Sequence, residues 1–186
     1  AKSGVSARLS ITAYENLLST AERRALQLGE EETTVRLGDF MGVIPAITGK
    51  VELVYEGEQE GAAEVAEQLI AKAVKTQFEK YFPKVQKLQK ESDVDPYDGL
   101  VAWFFEQSGF ELPDTLGEDD YRERLDSIPP LERLLHNHVP DVAAEDRYFF
   151  KEFVLWALAE YDKLSKLSLQ DGIHFKDVYG SYISGL

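Results

Sequence analysis

One stretch of this 186-residue chain strongly limits how the chain can fold: from Ala143 to Leu164 apolar residues recur on nearly every side of a helix. Phe149, Phe150, Phe153, Val154, Trp156, Ala157, Leu158, Tyr161 and Leu164 cover more than half of its circumference. A helix apolar over so much of its surface has to be enclosed by other elements, so it is predicted to be the centre of its domain. The flanking sequence supplies partners. Leu100, Val101, Trp103, Phe104 and Phe105 predict a short apolar helix, and Tyr121–Leu125 and Pro130–Val139 predict two more. The stretch from Gly109 to Gly117 reads as a loop, and the tail Phe175–Ile183 is expected to dock on the core.

The first half is helical at lower apolar density. Thr12-Ala13-Tyr14-Glu15 has the spacing of a capping box, in which a hydroxyl and a carboxylate satisfy each other's backbone N–H groups. Leu17, Leu18, Ala21, Ala25 and Leu28 follow at helical spacing, and Gly29 is a natural stop. Glu30-Glu31-Glu32 predicts an exposed turn. Val35 to Ile44 predicts a second short helix that opens near Asp39 and ends between Pro45 and Gly49. Val51–Tyr55, β-branched and aromatic, is the best strand candidate. A long helix is expected from Ala62 to Tyr81, with Pro83 just beyond it, and polar residues 84–96 are the candidate boundary. The expected fold is therefore all-α or nearly so, with at most a short β element near 51–55. The expected segments are 1–50, 51–94 and 95–186.

Charge narrows the function classes. The net charge is −14, from 34 acidic and 20 basic residues, and no basic run exceeds two residues. Such a surface repels phosphate backbones, which argues against nucleic acid as a partner. It suits solvated helix faces, a high-salt host or a basic protein partner. No apolar run approaches the roughly 20 residues of a membrane helix. The absence of cysteine excludes disulfides and thiolate metal sites and favours the cytoplasm.

Most catalytic patterns fail on inspection. Ile47-Thr48-Gly49-Lys50 resembles part of a phosphate loop, but Ile44 stands where its first glycine belongs and Val51 where a metal-binding hydroxyl is required. Gly49 reads as a helix end. His136 and His138, with Asp141, Glu145 or His174, could be weighed as metal ligands, but residues two apart point to different helix faces and no i, i+4 His pair occurs. No Gly-x-Ser-x-Gly elbow is present, and Glu118-Asp119-Asp120 reads as a polar loop. The expected catalytic set and metal set are both empty.

The opening segment is more informative. Gly4 to Glu15, then Ala21-Glu22-Arg23-Arg24-Ala25, then Val35-Arg36-Leu37-Gly38-Asp39-Phe40, resembles the C-terminal helical lid of AAA+ ATPases of the magnesium chelatase I-subunit and MoxR-like group. In that group an arginine following a glycine begins a lid helix, an alanine-rich helix follows, and a hydrophobic–x–x–x–Asp element opens the last lid helix. Arg8, Ser19–Gly29 and Val35–Asp39 supply the three here. The likeness implies a helical lid plus a helical extension, cut from a larger protein. It implies that Arg8 is similar to the sensor-2 arginine, which reaches the γ-phosphate of ATP. ATP and Mg2+ would be held by an upstream AAA+ core, with ring neighbours in a homo-oligomer and an unidentified protein partner on the extension. In isolation no cofactor and no activity are expected. The alternative is a free-standing acidic helical interaction module without nucleotide.

Overall fold

The structure, a computed structural model, describes residues 4–52, 61–85, 95–107, 109–169 and 172–178. The chain divides into two compact units, Ala1–Ala73 and Val74–Leu186, and the division falls inside a helix.

In the first unit, strand β1 (Gly4–Val5) pairs antiparallel with β2 (Val51–Glu52), Gly4 opposite Glu52 and Val5 opposite Val51. The predicted strand is thus present at 51–52, while residues 53–55 lie outside the described residues. Helix α1 spans Leu9–Leu28, one turn earlier than the capping box implies. The cause is Ser6: its carbonyl accepts from Leu9 N at 2.9 Å and its hydroxyl from Arg8 N at 3.3 Å. Thr12 is therefore inside the first turn, where its hydroxyl donates back to the Arg8 carbonyl. At the other end Gly29 takes φ +71°, and Glu30 N donates to Ala25 O at 2.9 Å, closing the helix where the sequence predicts.

A 3-10 helix (Leu37–Val43) and α2 (Ile44–Thr48) pack on α1. The contact is close because small residues face it. Ala21 and Ala25 are the buried apolar residues of α1, and Gly42 lies so near Thr20 that a Cβ there would overlap the Thr20 hydroxyl. Ile11, Tyr14, Leu18 and Leu26 stay exposed, so the apolar periodicity of α1 is only partly used. Helix α3 (Ala62–Tyr81) begins in this unit and matches its predicted span.

In the second unit α7 (Arg147–Glu160) is central, as its composition predicts, with every residue from Lys151 to Leu158 buried. Of the other helices, α4 (Asp98–Glu106) packs on α6 (Pro129–His138), while α5 (Glu118–Asp126) and α6 pack on α7. Phe78 near the end of α3 meets Phe82, Tyr97 and Phe153 at ring-centroid distances of 4.8, 5.9 and 5.7 Å.

Two expectations fail here. The helix ends at Glu160, short of Leu164, because Asp162 adopts φ +59° and Lys163 N returns to Leu158 O at 2.9 Å. An aspartate thus fills the left-handed closing position that glycine usually marks. The chain also carries more than one short β element. Strands β3 (Phe110–Pro113), β4 (Leu164–Leu169) and β5 (Gly172–Asp177) form an antiparallel sheet in the order β3-β5-β4. Phe110 pairs with Phe175 and Leu164 with Asp177. Phe110, Leu112, Leu164, Ile173 and Phe175 are buried, giving the sheet one apolar face. The fold is mainly helical with this small sheet, and 110–113 is a strand rather than part of a loop. No described helix is long and apolar enough to cross a membrane.

Candidate functional site

Three arginines in the first unit have sharply different settings. Arg8, at the N-terminal boundary of α1, is exposed, and no group pairs with its guanidinium among the described residues. Arg24 is buried: its Nε and Nη2 reach the two carboxylate oxygens of Asp39 at 3.3 and 2.9 Å. The remaining donors go to Thr33 Oγ1 at 3.0 Å and Thr34 O at 2.8 Å. Arg36 is also buried, and its backbone N–H donates to Asp39 Oδ2 at 2.8 Å. Asp39 therefore caps the 3-10 helix and ties it to α1 in one step. Arg24 and Asp39 lie in two separate segments of the lid resemblance, so those segments are held as one piece.

The sequence contains a signal for this pair. Ala21, Arg24, Ala25 and Leu28 follow the i, i+3, i+4, i+7 rule, which places a charge on the buried stripe of α1. A buried charge requires a partner, and Asp39 is it.

The second unit holds an open groove of about 800 Å3. Val101 and Phe105 of α4, Tyr161 after α7 and Val178 after β5 form its apolar walls. Asp98, Glu106 and Asp162, all exposed, stand at its edge, with Asp177 alongside. Among the described residues Lys163 is the one basic residue lining it, and its Nζ is held by Asp95 Oδ2 at 2.9 Å. The Tyr161 hydroxyl donates to Glu79 Oε1 at 2.9 Å, and Lys75 Nζ lies 5.1 Å from the ring centroid. Burial, then the hydrogen bond and charge of Glu79, push the Tyr161 phenol up to about 12.

Other titratable groups are engaged in structural contacts. Buried Lys151 pairs with Asp126 and with Glu132 at 3.0 Å, and Glu132 also meets Arg147. Partial burial works against ionisation of Glu132, but the hydrogen bonds and charges of Lys151 and Arg147 prevail and hold its carboxyl below the ordinary range. Buried Glu152 accepts from the Tyr121 hydroxyl at 2.7 Å. Lys166 Nζ lies 3.9 Å from the Trp156 ring centroid and pairs with Glu160 at 2.6 Å.

The remaining sequence candidates are dispersed. Gly49 ends α2, its N–H directed at Pro45 O. Glu118-Asp119-Asp120 is the first turn of α5 rather than a loop, where three carboxylates complement the helix dipole. His136 and His138 lie in the last turn of α6, whereas His174 is on β5, its Nδ1 3.0 Å from Glu111 Oε1. Among the described residues no three His, Cys, Asp or Glu side chains gather as a metal site.

No family model matches the chain, and no curated protein or solved structure matches it.

Proposed function

We propose that this chain is the lid and helical extension of a cytoplasmic AAA+ ATPase of the magnesium chelatase I-subunit and MoxR-like kind, and that Arg8 senses nucleotide in the assembled enzyme. The supporting observation is the contrast between Arg8 and Arg24. Arg24 has all its donor nitrogens engaged inside the unit. Arg8 is exposed at the start of a 20-residue helix that Arg24 fastens to its neighbour. A guanidinium stays charged at any physiological pH and matches phosphate oxygens bidentately, so Arg8 suits contact with a γ-phosphate presented from outside the chain. ATP with Mg2+, bound by an upstream core, would supply that phosphate. This chain would contribute the arginine and a rigid lever. The extension would dock a protein partner, and ring neighbours would complete a homo-oligomer.

Arg8→Ala in the whole ATPase is expected to lower ATP turnover by about 10²-fold, the scale of losing one charge-stabilising donor, with circular dichroism unchanged. Unchanged turnover overturns the sensor role. The upstream coding sequence is expected to encode a strand, a Gly-x-x-x-x-Gly-Lys-Ser/Thr loop and a helix. The groove of the second unit favours a second reading, a protein-interaction module that acts without nucleotide.

A further inference from the structure

We infer that the groove beside Phe105 and Tyr161 takes a basic amphipathic segment of a partner protein, one with a bulky apolar side chain flanked by lysine or arginine. The inference rests on the docking role proposed for the extension and is independent of the Arg8 contact. Its basis is a combination of shape, exposure and sign of charge. Phe105 is 68 % exposed on the wall of a groove of about 800 Å3, an apolar surface unusual on a helix whose other aromatics, Trp103 and Phe104, pack against Phe110. A side chain of this size left in water at the mouth of a concave surface is a natural anchor for a partner.

The edge of the groove determines which partner. Asp98 and Glu106 sit at opposite ends of α4, and Asp162 projects from the left-handed closing turn of α7. All three are exposed, and no cation pairs with them among the described residues. Two cations at the groove are committed elsewhere, Lys163 to Asp95 and Lys75 over the Tyr161 ring, while the Arg133 guanidinium comes near Gly99, next to Asp98. The carboxylates do not converge as a metal site. A second copy of this chain, at net charge −14, brings the wrong sign, as do nucleic acid and an anionic membrane. A basic protein segment is the occupant whose charge matches the edge and whose apolar side chain matches the floor.

The test uses a short fluorescein-labelled peptide of lysine and leucine in amphipathic helical order, titrated with this chain by anisotropy at low and moderate salt. Binding that weakens with salt is expected. Asp98→Asn/Glu106→Gln/Asp162→Asn should weaken it about tenfold at low salt, and Phe105→Ser by a similar factor, with unchanged circular dichroism because all four side chains are exposed. The control Asp119→Asn/Asp141→Asn/Glu145→Gln, which removes the same charge elsewhere on the unit, should change affinity less than about twofold. Equal weakening by the control overturns the inference, since binding would then follow net charge alone. Undiminished binding to Phe105→Ser, or of a peptide with serine for leucine, overturns it as well. The assay contains no nucleotide, so its failure leaves the Arg8 reading standing, and a failure of Arg8→Ala in the ATPase leaves this one standing.

Discussion

The two units close their interiors by opposite means. In the first, the buried apolar side chains of α1 are alanines, and the 3-10 helix approaches over Gly42, so little apolar bulk is available there. At that contact sits a buried ion pair with its donors used. In the second, Phe78, Tyr97, Phe104, Trp156 and Phe175 are almost wholly buried, packed among leucines such as Leu125, Leu131, Leu135 and Leu155. Its buried charges on the central helix, Lys151 and Glu152, are held by Asp126, Glu132 and the Tyr121 hydroxyl. An ion pair in a thin interface adds geometry rather than large net stability, because desolvation offsets much of the attraction. An aromatic core adds stability with less directional demand. Under the proposed function, a lever that must hold one orientation suits the first plan, and a platform that must survive docking suits the second.

The largest expected effects fall on the two centres. Trp156→Ala should destabilise the second unit by about 3–5 kcal/mol, read from urea unfolding, through lost burial and the cavity left behind. Asp39→Ala should cost the first unit about 3–5 kcal/mol, because Arg24 would be left charged, buried and unpaired. The two losses differ in how they can be repaired. Arg24→Met with Asp39→Leu should restore most of the stability, since an apolar pair needs no desolvation. A double variant as unstable as Asp39→Ala would break the comparison, placing the role of Asp39 in capping Arg36 N rather than in the ion pair.

Next in size is the close approach of α1. Gly42→Ala puts a methyl group onto Thr20, whose branched side chain is also fixed by donating to Asn16 O at 2.8 Å. A cost of about 1–3 kcal/mol is expected, with partial rescue by Thr20→Ala. Failure of that rescue would show that the interface yields by backbone shift, which is easier where side chains are small.

What could be read from the sequence follows the strength of each local signal. Helix α3 and the central position of α7 were legible because many apolar residues repeat at one period. The sheet was not. Phe110–Pro113 is too short to establish alternation, and Leu164 continues the helical spacing of α7 even though the chain has already turned at Asp162. The two-residue strand Gly4–Val5 offers no pattern at all. In the candidate site, the exposure of Arg8 follows from its place before a helix, and Arg24 is visible as a charge on an apolar stripe. The groove is not legible, since Phe105, Tyr161 and Val178 come from three separate segments that only the tertiary fold brings together.

The smallest predicted effect is a pH dependence confined to the second unit. Burial and Glu79 push the Tyr161 phenol from an ordinary value near 10 to about 12. Tyr97 is raised further by burial and by the charges of Asp95 and Tyr161. A raised value means that the folded state holds the proton more tightly than the unfolded chain does. The contribution is therefore fully present below pH about 10 and is lost as pH rises through about 12, because only the unfolded phenol ionises within that window. Tyr161→Phe removes the titrating group, so its urea midpoint should fall less steeply than that of the wild type as pH passes about 10. The side chain is only partly buried, so solvent screening keeps the difference modest. Parallel slopes would assign the alkaline loss to Tyr97, whose hydroxyl donates to Pro83 O beside the aromatic core, and Tyr97→Phe would then flatten it.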